Sequence, residues 1–494
     1  MTNWHRLKAP LIERERFEQG QKTKSRTRNG QQDTGRGVAE KSQASQSRRW
    51  IRHGLHTNPH RRAIPHVSIP PLRPVFPRPV FVRCIAHIQR DNARRESALG
   101  LRSNSPAGSS TSHSPLISAS FPFRSTCVAP TSSDRRSPSP DPRPTVAVLG
   151  LGQMGLVCAG LLAQGSTAGS PETSLRKPLR VLMWGHSQDE AASLLQTRRS
   201  DRLPGFILPD DVEVMRSDAP LASAQLLVTA VPVQHTRSVW QRLAPHVAPG
   251  AGVVSVAKGI ENGSLLRPTQ IVADVLRESG NDHPDRAERP YAVLSGPTIA
   301  AELARCLPAA MTAASDDPAF AKTVQSLFGN SWLRIYTNAD VVGVELAGAV
   351  KNVIAIAAGI CDGLHAGHNA KSALLARGLA EIVRLGTAMG ASPATFFGIA
   401  GVGDLATTCF SPEGRNRSCG EALGKGRKLD DYLASSPFVV EGVATTKSVV
   451  ELAKHYRVDM PIVQAVNAVL FENTDPIDAI GLLMSREQKA ERVG

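Results

Sequence analysis

From Pro144 onward the chain alternates short β-rich runs with stretches long enough for a helix, and this limits its fold more than any other feature. The runs are TVAVLG (145–150), RVLMWG (180–185), LLVTAVP (226–232), GVVSVAKG (252–259), YAVLSGP (291–297), AAMTAAS (309–315) and LRIYTN (333–338). Strands spaced by helical segments predict βαβ units and a mainly parallel sheet. After Asn338 the β-rich runs stop. Helices are predicted at about 341–361, 369–390, 443–456, 461–472 and 476–485. The pattern therefore divides into an α/β domain over 144–338 and an all-α domain over 339–494.

Before Pro144 the texture differs. Residues 1–143 hold 26 Lys and Arg against 9 Asp and Glu, whereas 144–494 holds 32 against 34. The net charge of +15 and the pI of 9.9 thus belong to a basic leader. They give no reason to read the folded part as a partner of nucleic acid. Arg, Ser, Gln and Pro dominate the leader, and proline interrupts 65–80 every few residues. Such a composition buries too little apolar surface to offset an ordering entropy of roughly 1–2 kcal/mol per residue, so 1–143 is predicted to be disordered. Its acid-poor, Ser- and Arg-containing stretch at 97–133 resembles an organelle transit peptide, which implies a plastid or another organelle. Rival readings are an ordinary basic tail, an artefact of the gene model or a nucleic-acid-binding arm. Without transit the compartment is the cytoplasm. The seven cysteines are scattered and never form C-x-x-C, which indicates neither a disulfide framework nor a zinc site. A reducing compartment follows, and no metal is expected. The apolar run VIAIAAGIC at 353–361 falls short of the ~20 residues needed to span a bilayer.

The first β-rich run leads into Gly150-Leu151-Gly152-Gln153-Met154-Gly155 and then an apolar helical stretch. This strand–turn–helix places G-x-G-x-x-G where a dinucleotide-binding fold of the Rossmann type requires it. Gly150 permits the turn, Gly152 lets the backbone approach a pyrophosphate, and Gly155 lets the helix pack closely. An Asp or Glu at the end of the second strand would bind the 2′-hydroxyl of NAD. The sequence has His186 and Ser187 there instead, so either NADP or NAD is admitted. An exposed loop histidine is the bland alternative. The connection 166–179 reads as a surface insertion.

In the helical part, Lys351 sits in an apolar, Ala-rich run beside Asn352. Burial would lower its pKa and suit it to take and return a proton near neutral pH. A snorkelling surface lysine is the alternative. A second cluster, Gly398 to Arg417, reads as a flexible glycine loop with Asp404 placed to cap the next helix and Arg415 available to a phosphate or carboxylate. A cap plus a solvated basic loop fits that spacing equally.

The ordered motifs GLGQMG, AVP (230–232), AKG (257–259), SGPTIAAELA (295–304), ELAGAVKNVIAIAAG (345–359), GVGDLATTCFSPEGRNR (401–417), VVEGVATTKSV (439–449) and MPIVQAV (460–466) resemble the soluble, bacterial-type NAD(P)-dependent glycerol-3-phosphate dehydrogenases over about 145–492. The resemblance implies reversible hydride transfer between NAD(P)H and dihydroxyacetone phosphate, giving glycerol 3-phosphate for glycerophospholipid synthesis. It implies Lys351 as proton acceptor and Lys258 beside both substrate and cofactor. Gly296, Thr298, Asn352, Asp404, Thr408, Arg415 and Asn416 are implied as further substrate contacts. Cofactor contacts are implied at Gln153, Met154, His186, Ala300, Arg415, Val439 and Glu441, beside the three glycines of the turn. A homodimer is implied as well. Gln153 and Met154 stand where the family often has serine and an aromatic, and Gly414 where a serine commonly contacts substrate. The spacer at 277–289, like 166–179, is longer than a minimal member needs. The competing functions are a β-hydroxyacid dehydrogenase, which the GDLATTCFSPEGRNR block argues against, and a non-catalytic dinucleotide-binding protein.

Overall fold

A computed structural model of the chain describes residues 143–165, 178–282, 288–488 and 490–491. The readings made on the leader up to 142, on 166–177 and on 283–287 lie outside the described residues. Among the described residues eight strands form one sheet: β1 Thr145–Leu149, β2 Arg180–Trp184, β3 Val212–Val214, β4 Leu226–Thr229, β5 Gly252–Ser255, β6 Tyr291–Ser295, β7 Ala309–Ala314 and β8 Leu333–Asn338. Their order is β3-β2-β1-β4-β5-β6-β7-β8. Neighbours are parallel except β6 and β7, which run antiparallel with Val293 opposite Ala314 and Ser295 opposite Thr312. All seven β-rich runs contain a strand. The strand they lack is β3, a three-residue VEV edge paired with β2.

Among the described residues six helices cover this sheet: α1 Gln153–Gln164, α2 Gln188–Thr197, α3 Val233–Leu243, α4 Pro268–Glu278, α5 Ala300–Ala304 and α6 Pro318–Phe328. β1 and β4 are buried at every residue, as strands covered on both faces must be. The period of two sorts their side chains. Val146 and Val148 pack with α1 and α6 residues such as Leu156, Val157 and Phe328. Ala147 and Leu149 face Trp240 and Leu243 of α3 and Val272 and Leu276 of α4.

The chain continues as α7 Val341–Gly363, α8 Gly367–Ala388, α9 Pro393–Phe396, α10 Asp404–Phe410, α11 Arg415–Gly424, α12 Leu429–Ser435, α13 Glu441–His455, α14 Pro461–Phe471 and α15 Pro476–Met484. The five expected helices are present, and α9 to α12 join them. Asp340 caps α7, accepting from the Gly343 N–H at 2.8 Å. At 23 residues α7, which contains the run at 353–361, is long and apolar enough to cross a bilayer by length and composition alone. It is the core helix of this region, with nearly all its residues buried. It crosses α11 at close range: a Cβ on Gly359 would lie 1.9 Å from the Arg417 carbonyl oxygen, and one on Gly420 2.0 Å from that of Ile356. Glu345, fully buried on α7, pairs with Arg267 and accepts from the Thr269 N–H at 2.9 Å, tying α7 to the start of α4. The described residues form one compact unit.

Candidate active site

The strand order reverses between β1 and β4, and open α/β sheets bind ligands at such a point. A cavity of about 640 Å³ opens there, walled on one side by the β1, β2 and β4 ends and on the other by α7, α10 and α11. Of the residues singled out in the sequence, all line it except Gly155 and Gly296.

At the nucleotide end, Gly150 has φ +120°, and a Cβ there would lie 2.8 Å from the Ala230 carbonyl oxygen, so the turn excludes a side chain. A Cβ on Gly155 would meet the Gly150 oxygen at 2.0 Å, which seats α1 against the turn. Gly152 caps α1 and faces open space, with nothing within 4 Å of a Cβ position. No side chain caps α1 and no acid lies in its first turn. The turn therefore fits a pyrophosphate at a helix N-terminus. Met154, Ala300 and the exposed His186 and Val439 line the same cavity. Gln153 donates from Nε2 to the Arg202 carbonyl at 2.9 Å, joining the turn to a segment the sequence reading did not connect with it.

At the other end stands Lys351, 5% exposed. Its Nζ is 2.8 Å from Asp404 Oδ1 and donates to Thr408 Oγ1. Burial pushes its pKa down to about 8; the Asp404 carboxylate pulls it back up and the Lys258 charge pushes it further down. Lys258 Nζ donates to Asp404 Oδ2 at 2.6 Å and to the Gly296 carbonyl at 3.0 Å. One buried carboxylate thus holds two ammonium groups. Thr298 Oγ1 donates to the same Gly296 carbonyl at 3.1 Å. Gly296 lies behind the lining, at φ +150°, and positions that oxygen.

Asp404 corrects an expectation. It does not cap a helix: the cap of α10 is Gly403, and Asp404 is the helix's first residue with its carboxylate turned onto the lysines. The preceding glycines are not an open loop either, because Ile399–Gly403 is a turn of π-helix running into α10. π-helical turns are rare and frequently mark functional sites.

Asn352 donates to the Lys258 carbonyl at 3.1 Å and accepts from Asn416 Nδ2 at 2.9 Å. Asn416 Oδ1 in turn accepts from the Gly442 N–H at 2.9 Å. These amides lock α7, α11 and α13 around the cleft. Arg415 opens α11 and donates to the Val439 carbonyl at 3.3 Å. It is exposed to the cleft, yet crowding protein lowers its pKa from the usual guanidinium value, opposed by the charge of Glu441. Burial raises the Glu441 pKa to about 7 against Arg415 and a Val233 N–H, which both lower it. Gly414 caps α11 without a side chain, so the N–H groups of its first turn remain open to an anion beside Arg415.

Comparison with known proteins follows the same boundaries. Family profiles described as NAD-dependent glycerol-3-phosphate dehydrogenase N-terminus and C-terminus match residues 145–321 and 340–481. The chain is 42% identical over 348 residues to "Glycerol-3-phosphate dehydrogenase [NAD(P)+]" of Syntrophotalea carbinolica, covering 70% of this chain and 99% of that protein. The protein of the same name from Prosthecochloris aestuarii is 44% identical with the same coverage. A crystal structure of glycerol-3-phosphate dehydrogenase from Coxiella burnetii superposes with a TM-score of 0.63 at 32% identity, covering 70% of this chain and 99% of that one.

Proposed function

The chain belongs to the NAD-dependent glycerol-3-phosphate dehydrogenase family, and from that premise we propose how its residues divide the work. The reaction is NAD(P)-linked oxidoreduction between glycerol 3-phosphate and dihydroxyacetone phosphate. Residues 144–338 act as the cofactor-binding domain and 339–494 as the substrate-binding and catalytic domain. Bound nicotinamide dinucleotide supplies the hydride acceptor or donor. Lys351, as a neutral amine, takes the proton of the C2 hydroxyl; as an ammonium it returns that proton to the carbonyl oxygen. General acid–base help of this kind is worth ~10²–10⁴-fold. Asp404 holds the Lys351 and Lys258 ammoniums in place, and Thr408 fixes the Lys351 rotamer. Arg415 and the α11 N-terminus grip the substrate phosphate. Because that phosphate is remote from the reacting carbon, its binding energy is converted into orientation. Asn352 and Asn416 keep the two grips in register.

One observation carries this reading: a buried lysine amine, 2.8 Å from Asp404, in the same cavity as the glycine turn. Lys351→Ala is expected to lower turnover at least ~10²-fold while its NADH affinity, measured by fluorescence titration, stays within about twofold of wild type. A variant retaining more than roughly a few per cent of the wild-type rate removes Lys351 from this role. A homodimer is proposed on the exposed apolar Leu482 and Met484 of α15; light scattering that returns the mass of one chain would exclude it.

A further inference from the structure

No carboxylate ends β2. The strand closes on Trp184, and Gly185, His186 and Ser187 follow. Two acids, Asp189 and Glu190, come in the first turn of α2, and of these Glu190 lines the cavity. Ser187 caps α2 by accepting from the Glu190 N–H at 3.2 Å, and Glu190 lines the cavity together with His186. The Glu190 carboxylate is held by both arms of the Arg202 guanidinium: Nε donates to Oε1, and Nη2 to Oε2 at 3.3 Å. Arg202 also lines the cavity, and Gln153 of the glycine turn anchors its backbone. Glu190 and Arg202 are 31% and 46% exposed, so solvent screens the pair and a better ligand can exchange either partner.

We propose that Glu190 and Arg202 form a cofactor selector that admits both dinucleotides, an inference resting on the glycine turn being the cofactor site. Glu190 accepts the 2′-hydroxyl of the adenosine ribose in NAD(H). The 2′-phosphate of NADP(H) instead takes the Arg202 fork, whose geometry suits a phosphate at least as well as a carboxylate. Glu190 then faces that phosphate unneutralised, and this repulsion keeps NADP(H) from being favoured outright. The pair explains how the chain can do without an acid at the end of β2.

The test is equilibrium binding of NADH and NADPH to the full chain without substrate, followed by nicotinamide fluorescence. Arg202→Met is expected to weaken NADPH roughly tenfold, the size of one charge-assisted contact, with NADH within about threefold of wild type. Arg202→Lys, which keeps the charge and loses the fork, is expected to fall between. Glu190→Gln is expected to tighten NADPH several-fold and weaken NADH. Equal weakening of both dinucleotides by Arg202→Met, or an unchanged NADPH/NADH ratio in Glu190→Gln, would overturn the selector. Failure of wild type to bind either dinucleotide would overturn the cofactor-site reading beneath it.

Discussion

Lys351 titrates in the range where the reaction runs. An amine with a pKa of about 8 is mostly an ammonium below that pH and mostly free above it. Oxidation of glycerol 3-phosphate needs the free amine, so kcat/KM should climb roughly tenfold per pH unit up to about 8 and then level. Reduction of dihydroxyacetone phosphate needs the ammonium and should fall above the same point. Asp404 raises this pKa through both its charge and its hydrogen bond. Asp404→Asn should therefore move the oxidation limb to lower pH and deplete the ammonium needed for reduction at neutral pH. Initial-rate profiles in both directions would check this, and superimposable profiles for variant and wild type would show that Asp404 does not hold Lys351. The sequence marked Lys351 as a lysine inside an apolar run. It could not specify that one carboxylate holds two lysines, because Lys258 and Asp404 are brought together only by the tertiary fold.

At the level of elements, the position of α11 against α7 decides where Arg415 and Asn416 stand. The two helices meet backbone to backbone, with Gly359 against Arg417 and Gly420 against Ile356. Gly359→Ala must push α11 outward, because the added methyl would fall 1.9 Å from a carbonyl oxygen. Overpacking of this kind costs about 1–3 kcal/mol. The expected result is a lower unfolding midpoint and a several-fold higher KM for glycerol 3-phosphate, with NADH affinity unchanged. An unaltered KM would mean that the crossing does not set the phosphate grip. Other glycines, Gly398, Gly401 and Gly403, explain why the sequence showed a loop before α10, where Ile399–Gly403 is a turn of π-helix and a Cβ on Gly401 would lie 2.1 Å from the Phe396 carbonyl oxygen. Glycine disfavours helix locally by roughly 0.5–1 kcal/mol, and only the close packing it permits outweighs that cost.

Across the whole molecule, the alternation of β-rich and helical runs was sufficient for the sheet, because each buried strand carries a continuous apolar run. The edge strand β3 has only three residues and leaves no such signature. The charge imbalance marked off 1–143, which we take as a dispensable leader. Deleting 1–140 should leave kcat and KM unchanged, and a dead truncation, assayed in parallel with the full chain, would end that view. The reversal between β6 and β7 has a consequence of its own. It leads β8 to the rim of the sheet opposite the glycine turn, and α7 climbs back beside β6. Val344 packs with Val293, and Gly348 comes level with Ser295. Ten residues separate Val341 from Lys351, about 15 Å of helix, close to the ~17 Å height of a five-residue strand. The opening turns of α7 are thus a measuring rod cut to the thickness of the layer beside them. One extra residue would swing the amine by about 100°, and a full added turn would lift it about 5.4 Å past its mark. Substitutions can accumulate along this rod, but its length has no such latitude.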